Sequence, residues 1–276
     1  MISVGNLVAG GTGKTVLVDY LLNAFSEKKK MAVASRGYRA GTDGLNDEMR
    51  LLLRHYPQLI CEAHPERRIA IQACIDKGAT MVLLDDGFQH RKVARDLDLV
   101  ILDATDPYSK DLIPRGRRRE PLSSLERADM IVLSHANCLE PNDLKNLISE
   151  LETKWGKPIV LGRHALQKPM NAKGEELPVG PVHLLAGIGS PQHFEAGLKT
   201  LGYDVKARTL PGDHRAPTSE HLKTLENSEW PIVCTEKDIV KQSMPRTWYV
   251  AEVKWKFLSG EDVLKKKIEE LVPNHA

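Results

Sequence analysis

Long apolar runs are missing from this 276-residue chain. None approaches the roughly 18 consecutive apolar residues that a membrane-spanning helix needs, so no segment reads as a span. No stretch has the charged start, apolar middle and small-residue cleavage site of a secretory signal. Charge of one sign is missing too: 39 Lys and Arg face 37 Asp and Glu, a formal net charge of +2. That balance implies no strongly charged partner, and no nucleic acid is expected. Cysteine is scarce, and Cys61, Cys74, Cys138 and Cys234 show no C-x-x-C spacing. The pattern argues against a structural zinc site and suits a reduced, cytoplasmic protein. Internal repeats and low-complexity segments are absent as well. The length still allows a substantial core and one or two domains.

What is present begins at once. The stretch "SVGNLVAGGTGKTV" spans residues 3–16. Ile2 to Val4 can form a short buried strand. Gly10, Gly11 and Gly13 supply backbone without side chains, and Lys14 and Thr15 follow. Val16, Leu17, Tyr20, Leu21, Ala24 and Phe25 then recur at helical spacing. Strand, Gly-rich turn, Lys-Thr, helix is the P-loop arrangement, in which backbone N–H groups and a helix N-terminus face phosphate oxygens. Gly10, Gly11, Thr12 and Gly13 would cradle the phosphates, Lys14 would reach the β- and γ-phosphates, and the Thr15 hydroxyl would ligate Mg²⁺. One residue departs from G-x-x-x-x-G-K-[ST]: Val8 stands where that pattern has Gly. A turn that merely closes a strand–helix unit is the bland alternative, and GKT in this context argues against it.

Short apolar runs alternate with amphipathic segments along most of the chain. "MAVAS" (31–35), "TMVLLD" (80–85), "LDLVILD" (97–103) and "DMIVLS" (129–134) read as buried parallel strands, with helices expected over 65–78 and 141–156. A polar stretch with Gly and Pro over 170–181 precedes a second rhythm: strand 182–188, helix 191–201, strand 203–209, helix 218–227, strands 231–235 and 248–253, and a final helix. The expected fold is α/β: a P-loop NTPase-like doubly wound parallel sheet with a second, smaller α/β domain. The expected domains are 1–165, binding nucleotide, and 166–276, closing the active-site cleft.

Ligands of such sheets sit at the carboxyl ends of the strands. "MVLLDDGFQH" ends an apolar strand in Asp85 and Asp86, placed to hold Mg²⁺ opposite Thr15. "LVILDA" offers a competing acid, Asp103, which can equally cap its own turn. His90 is either part of this site or a polar-face residue that only anchors the acid loop. Asp47 and Glu48 open an amphipathic helix, where acids ordinarily complement the helix dipole. "PRGRRREP" carries Arg115, Arg117, Arg118 and Arg119 before Glu120, either as phosphate ligands or as a solvated basic loop. Asp213-His214 lies in a loop before a helix, and such a His is usually structural.

The ordered set "VGNLVAGGTGKT", "SRGY", "NDE", "DDGFQH" with "RDLDLVILD", "PRGRRREP", "AGIGSPQHF", "PGDH" and "TEKDIVK" resembles the tetraacyldisaccharide 4′-kinase family, the lipid A 4′-kinases. The likeness runs from residue 3 to about 241, and "DDGFQH" and "TEKD" are its most specific motifs. It implies transfer of the ATP γ-phosphate, with Mg²⁺, to the 4′-hydroxyl of a lipid A disaccharide 1-phosphate precursor. It implies Lys14 and Thr15 as the P-loop pair and Asp85 and Asp86 as metal-side acids. Asp47 with His214 would act on the acceptor hydroxyl, and Arg119 and Glu120 match the family's Arg-Glu, Glu120 among the metal ligands. The partner would be the glycolipid, met by peripheral contact with an anionic membrane surface on the cytoplasmic face. Asp47 and His214 fall in different expected domains, so domain closure would assemble the site around bound substrates.

The chain departs from the family in several places. The segment between Tyr38 and Asp47 is short, Asn46 stands where Gly is usual, and Val16 where Pro is usual. The arginine loop has extra Arg at 115, 117 and 118, directed at phosphate or at anionic lipid. The family's apolar segment before the P-loop strand is not in this sequence, which is either truncated or meets its lipid without that anchor. Other readings are a soluble P-loop transferase or ligase of the "GGTGKT" type, such as a dethiobiotin-synthetase-like protein, and a nucleotide-dependent switch that binds a protein partner.

Overall fold

A computed structural model describes residues 1–27, 29–37, 44–213, 215–241 and 245–271. The chain runs β1 (Ile2–Asn6), α1 (Lys14–Phe25), β2 (Met31–Ser35), α2 (Asp47–His55), β3 (Ile60–Ala63), α3 (Arg67–Asp76), β4 (Met81–Asp85), β5 (Leu97–Asp103), β6 (Met130–Ser134), α4 (Pro141–Trp155) and β7 (Ile159–Leu166). It continues β8 (Pro181–Leu185), α5 (Pro191–Thr200), β9 (Asp204–Thr209), α6 (Ser219–Glu226), β10 (Ile232–Thr235), α7 (Glu236–Ile239), β11 (Tyr249–Ala251), β12 (Val253–Ser259) and α8 (Glu261–Glu270). Among the described residues no helix is long and apolar enough to cross a membrane.

These elements form two compact units. Unit 1 holds Met1–Leu45, Tyr56–His164 and the chain from Trp255 onward, and unit 2 holds Asn46–His55 and Ala165–Lys254. A single division after residue 165 does not describe them. Helix α2 comes from the first half of the sequence, yet it packs on α7 in unit 2. The final segment returns to unit 1 because β12 adds a strand to the edge of its sheet beside β7.

In unit 1 the described strands lie in the order β12-β7-β6-β5-β1-β4-β2-β3. All pairings from β3 through β7 are parallel. Parallel strands covered on both faces need apolar side chains on both, which is why β1, β2 and β6 are buried at every position. Leu102 and Leu133 of the sheet pack with Leu147 and Leu151 of α4 in one core cluster. Each such side chain contributes about 1.5–3 kcal/mol on full burial. Helix α4 starts with Pro141 in its first turn and ends at Gly156 in the left-handed region, the asymmetry expected of helix ends. Strand β1 is central. Strands β2, β3 and β4 lie to one side of it and β5, β6 and β7 to the other, so the order reverses there. That reversal puts the P-loop at the position where such sheets hold ligands.

Unit 2 has a four-stranded parallel sheet in the order β11-β10-β8-β9. Val182, Leu184, Phe194, Leu198 and Val233 form its core. The doubly wound α/β class expected from the sequence is the observed one.

Candidate active site

The loop after β1 is fixed by its own side chains. The Asn6 amide, fully buried at the strand end, donates to Thr12 Oγ1 at 2.8 Å. Gly10 and Gly13 have φ of 120° and 93°, a region that penalises any side chain. Space forbids one as well: a Cβ on Gly13 would lie 2.1 Å from His164 Nε2, and one on Gly10 would lie 2.4 Å from Arg117 Nη2. Val8 sits in an antiparallel bridge with Arg118, and the Ala9 N–H donates to the Arg117 carbonyl at 2.7 Å. A buried, extended, β-branched residue suits that pairing, which accounts for Val8 where the common pattern has Gly. Arg117 Nε also donates to the Ala9 carbonyl at 3.0 Å. Arg117 is thus bound to the P-loop backbone.

Helix α1 starts directly after Gly13. Its first turn carries no acidic residue, and no side chain caps its N-terminal N–H groups. Lys14 Nζ lies 3.5 Å from Asp86 Oδ1. Asp86 Oδ2 accepts from Arg119 Nη1, which also reaches Gln89 Oε1 at 3.4 Å. Burial opposes the charge on Asp86, but Lys14 and Arg119 outweigh it and hold the carboxyl below its ordinary range. Asp86 has φ 56°, uncommon for a residue with a side chain, and its N–H donates to the Val4 carbonyl at 3.0 Å. The strand-end turn thus aims this carboxylate across β1 at the P-loop lysine.

Asp85 ends β4, and its carbonyl accepts from Arg67 Nη2 at 3.2 Å. Arg67 is almost wholly buried on α3, and burial pushes its guanidinium down against the pull of Asp85 and Asp86. Nothing in "PERRIAIQACIDKG" tells Arg67 from its exposed neighbour Arg68, so sequence reading missed it. The His90 N–H closes the acid turn onto the Gly87 carbonyl at 2.9 Å, and burial with Arg67 and Arg36 lowers the His90 pKa. Glu120 faces elsewhere: its Oε2 accepts from Arg127 Nη2 at 2.6 Å, and that guanidinium lies 4.5 Å over the Phe88 ring.

Asp103 takes its own turn and a histidine. Its Oδ1 accepts from the N–H and hydroxyl of Thr105, and its Oδ2 lies 3.0 Å from His135 Nδ1. Burial alone would raise its pKa, but these bonds overcome it and hold the carboxyl at about 2. The His135 ring meets His164 edge-on at 4.3 Å between centroids, and His164 backs Gly13. Asp103 therefore supports the P-loop through two histidines, a connection no local motif carries.

In unit 2, Asp47 is the first residue of α2. Asn46 Oδ1 accepts from the Met49 N–H at 2.9 Å, an N-cap that explains Asn where the family usually has Gly. His214 lies outside the described residues. One group of described residues has metal-ligand spacing, His55, Glu236 and Glu252. His55 Nε2 lies 2.5 Å from Glu236 Oε1, and Glu252 pairs with Lys254 at 3.4 Å.

An anion at the first turn of α1 would meet uncapped N–H groups and Lys14. That is how P-loop proteins hold nucleotide phosphates, and the fold and loop place this chain in that class. Residues 1–273 match the family model described as Tetraacyldisaccharide-1-P 4'-kinase, and the chain belongs to that family. It is similar to the tetraacyldisaccharide 4'-kinase of Chlorobium limicola, 30% identical over 99% of this chain and 88% of that protein. The corresponding kinase of Anaeromyxobacter dehalogenans is 34% identical over 98% of this chain and 80% of that one. Its fold is similar to the crystal structure of LpxK from Aquifex aeolicus in complex with ATP, with TM-score 0.76 and 28% identity over 98% of this chain and 87% of that one. The resemblance read from the motifs is borne out.

Proposed function

We propose that this chain transfers the γ-phosphate of ATP to the 4′-hydroxyl of a lipid A disaccharide 1-phosphate precursor, a step of lipid A biosynthesis. The carrying observation is the convergence of Lys14 and Arg119 on Asp86 beside the uncapped start of α1. Two cations on one carboxylate leave positive charge directed at the loop, which suits a polyphosphate. The N–H groups of Gly10, Gly11, Thr12 and Gly13 would hold its oxygens, with Lys14 and Arg119 covering the charge on the transferring group. The donor set of one hydroxyl and two carboxylates, Thr15, Asp85 and Asp86, fits the oxygen preference of Mg²⁺, whereas Glu120, expected among the ligands, is taken by Arg127. When bound there, Mg²⁺ supplies charge neutralisation along the phosphates.

On the acceptor side, the 4′-oxygen attacks the γ-phosphorus as the bond to the β,γ-bridging oxygen breaks, and ADP leaves. The hydroxyl proton must go to a base, and we assign that role to the Asp47 carboxylate with His214 as its partner. Unit 1 then carries the nucleotide machinery, and unit 2 carries the acceptor base.

Membrane contact belongs to the arginine loop. Leu112 and Ile113 are 43% and 54% exposed beside exposed Arg115, while Arg117 is engaged with the P-loop. Each basic residue near an anionic surface adds roughly 1 kcal/mol, screened within a Debye length. Co-sedimentation should show weak binding to anionic vesicles, none to neutral ones, and release at high salt. Salt-resistant binding would point to apolar insertion through Leu112 and Ile113 instead.

Radiolabelled ATP and the purified disaccharide 1-phosphate in mixed micelles test the reaction. Label should appear in the glycolipid only when that acceptor is present. ATP hydrolysis indifferent to the glycolipid would overturn the assignment.

A further inference from the structure

The motif "TEKD" (235–238) has no part in the chemistry above, yet all four of its side chains are bonded within unit 2. Thr235 and Asp238 form a reciprocal capping box at the start of α7. The three residues after Thr235 hold two segments, the turn at Gly187 and the two ends of α2. Asp238, fully buried, accepts from the Gly187 N–H at 2.9 Å, and Lys241 donates to the Gly187 carbonyl. Lys237 Nζ donates to Glu48 Oε1 at 3.0 Å, at the start of α2. Glu236 Oε1 lies 2.5 Å from His55 Nε2, at the end of α2.

Glu48 and His55 are seven positions apart, about two helical turns, and so share one face of α2. A side-chain contact at each end of that face, Lys237 with Glu48 and Glu236 with His55, fixes both the rotation and the axial position of the helix. Asp47 precedes Glu48 by one residue, about 100° around the axis, so its carboxylate is not needed for the clamp. The same hub reaches the loop before His214. A Cβ on Gly187 would lie 2.7 Å from the Arg215 carbonyl oxygen, and one on Gly189 would lie 3.2 Å from Asp213 Oδ2. The turn that Asp238 holds is therefore the surface on which the Asp213 loop rests.

We infer that Lys237 and Glu236 are positioning residues for phosphoryl transfer: they clamp α2 at both ends and so set Asp47, while Asp238 sets the turn against which Asp213 and Arg215 lie. This rests on Asp47 being the acceptor base. The Lys237–Glu48 pair is partly exposed and adds little to stability, whereas a base displaced by an ångström can cost turnover up to a hundredfold.

Steady-state kinetics and melting temperature should be measured for Lys237→Met, Lys237→Arg, Lys237→Glu, Glu236→Gln, Asp47→Ala, Lys237→Met in the Asp47→Ala background, and the swap Glu48→Lys with Lys237→Glu. Lys237→Met should lower kcat roughly tenfold, with KM for ATP and melting temperature unchanged. Lys237→Arg should keep most activity, and the swap should recover part of what Lys237→Glu alone loses. In the Asp47→Ala background Lys237→Met should cost nothing more. If Asp47→Ala is inactive while Lys237→Met and Glu236→Gln keep full kcat, the positioning role alone is overturned. If Lys237→Met multiplies the Asp47→Ala loss, or lowers kcat only in step with stability, it is overturned as well. If Asp47→Ala keeps wild-type turnover, the base assignment falls and the clamp has nothing to position.

Discussion

Two helices open at the proposed reaction groups, and they open in opposite ways. In unit 1, α1 begins after a left-handed glycine, with no capping side chain and no acid in its first turn. In unit 2, α2 begins with Asn46 capping the Met49 N–H and with Asp47 and Glu48 in its first turn. Both N-termini carry the same partial positive charge. The first leaves it for an external anion; the second already supplies its own anions. One helix end is thus suited to binding phosphate and the other to holding a carboxylate charged and ready to take a proton. The lesson is that a helix N-terminus is defined by what its first turn already contains.

The largest expected effect tests the open end. Lys14→Ala should lower turnover roughly a thousandfold, within the range for a group that neutralises developing charge. Thermal stability should change little, because Lys14 pairs with Asp86 and takes no part in the core. Retention of more than about a tenth of the activity, a barrier change under roughly 1.4 kcal/mol, would remove the P-loop assignment.

The closed end comes next. Asp47→Ala should cost roughly a hundredfold in kcat, the lower range for loss of a general base. His214→Ala should cost a similar amount, and the double variant little more, since residues acting as one unit are non-additive. Losses that multiply in the double variant would separate the two.

Much of this contrast was legible in the sequence. Gly10 to Thr15 and Asp85-Asp86-Gly87 stand at strand ends, and local spacing reveals such positions. The helix start at Asp47 was legible for the same reason. Long-range partners were not. Arg67 and Arg68 look alike until the fold buries one of them. His135 and His164 are 29 residues apart in number, and only β6 and β7 lying side by side bring their rings together. Strand β3 is only half-buried at the sheet edge, so it shows neither a continuous apolar run nor clean alternation. The return of β12 to unit 1 and the membership of α2 in unit 2 are facts of tertiary pairing that periodicity does not encode.

A smaller effect concerns support of the open end. Asp103, held at about 2 by His135 and Thr105 against the cost of burial, has a folded pKa below the ordinary carboxylate value. Its contribution is therefore present above the unfolded pKa, near 4, and is lost as pH falls from there through about 2. The difference in unfolding free energy between the wild type and Asp103→Asn should be about 2 kcal/mol at neutral pH. Chemical denaturation should show it shrinking below about pH 4. A difference constant down to pH 3 would mean that the charge on Asp103 contributes nothing.

The smallest effect concerns the cap. Asn46→Ala should lower stability by about 1 kcal/mol, while Asn46→Gly, the residue usual in the family, should cost only a few tenths. Equal losses in thermal melts would show that the Asn46 side chain does not cap α2.

The measurement that tests the division of labour most directly is ATP affinity, determined by titration calorimetry on Lys14→Ala and Asp47→Ala beside glycolipid phosphorylation. Asp47→Ala should bind ATP as the wild type does and phosphorylate the glycolipid roughly a hundredfold more slowly, whereas Lys14→Ala should lose both. If Asp47→Ala weakens ATP binding as much as Lys14→Ala does, or still transfers phosphate at the wild-type rate, the assignment of nucleotide to unit 1 and acceptor base to unit 2 is contradicted.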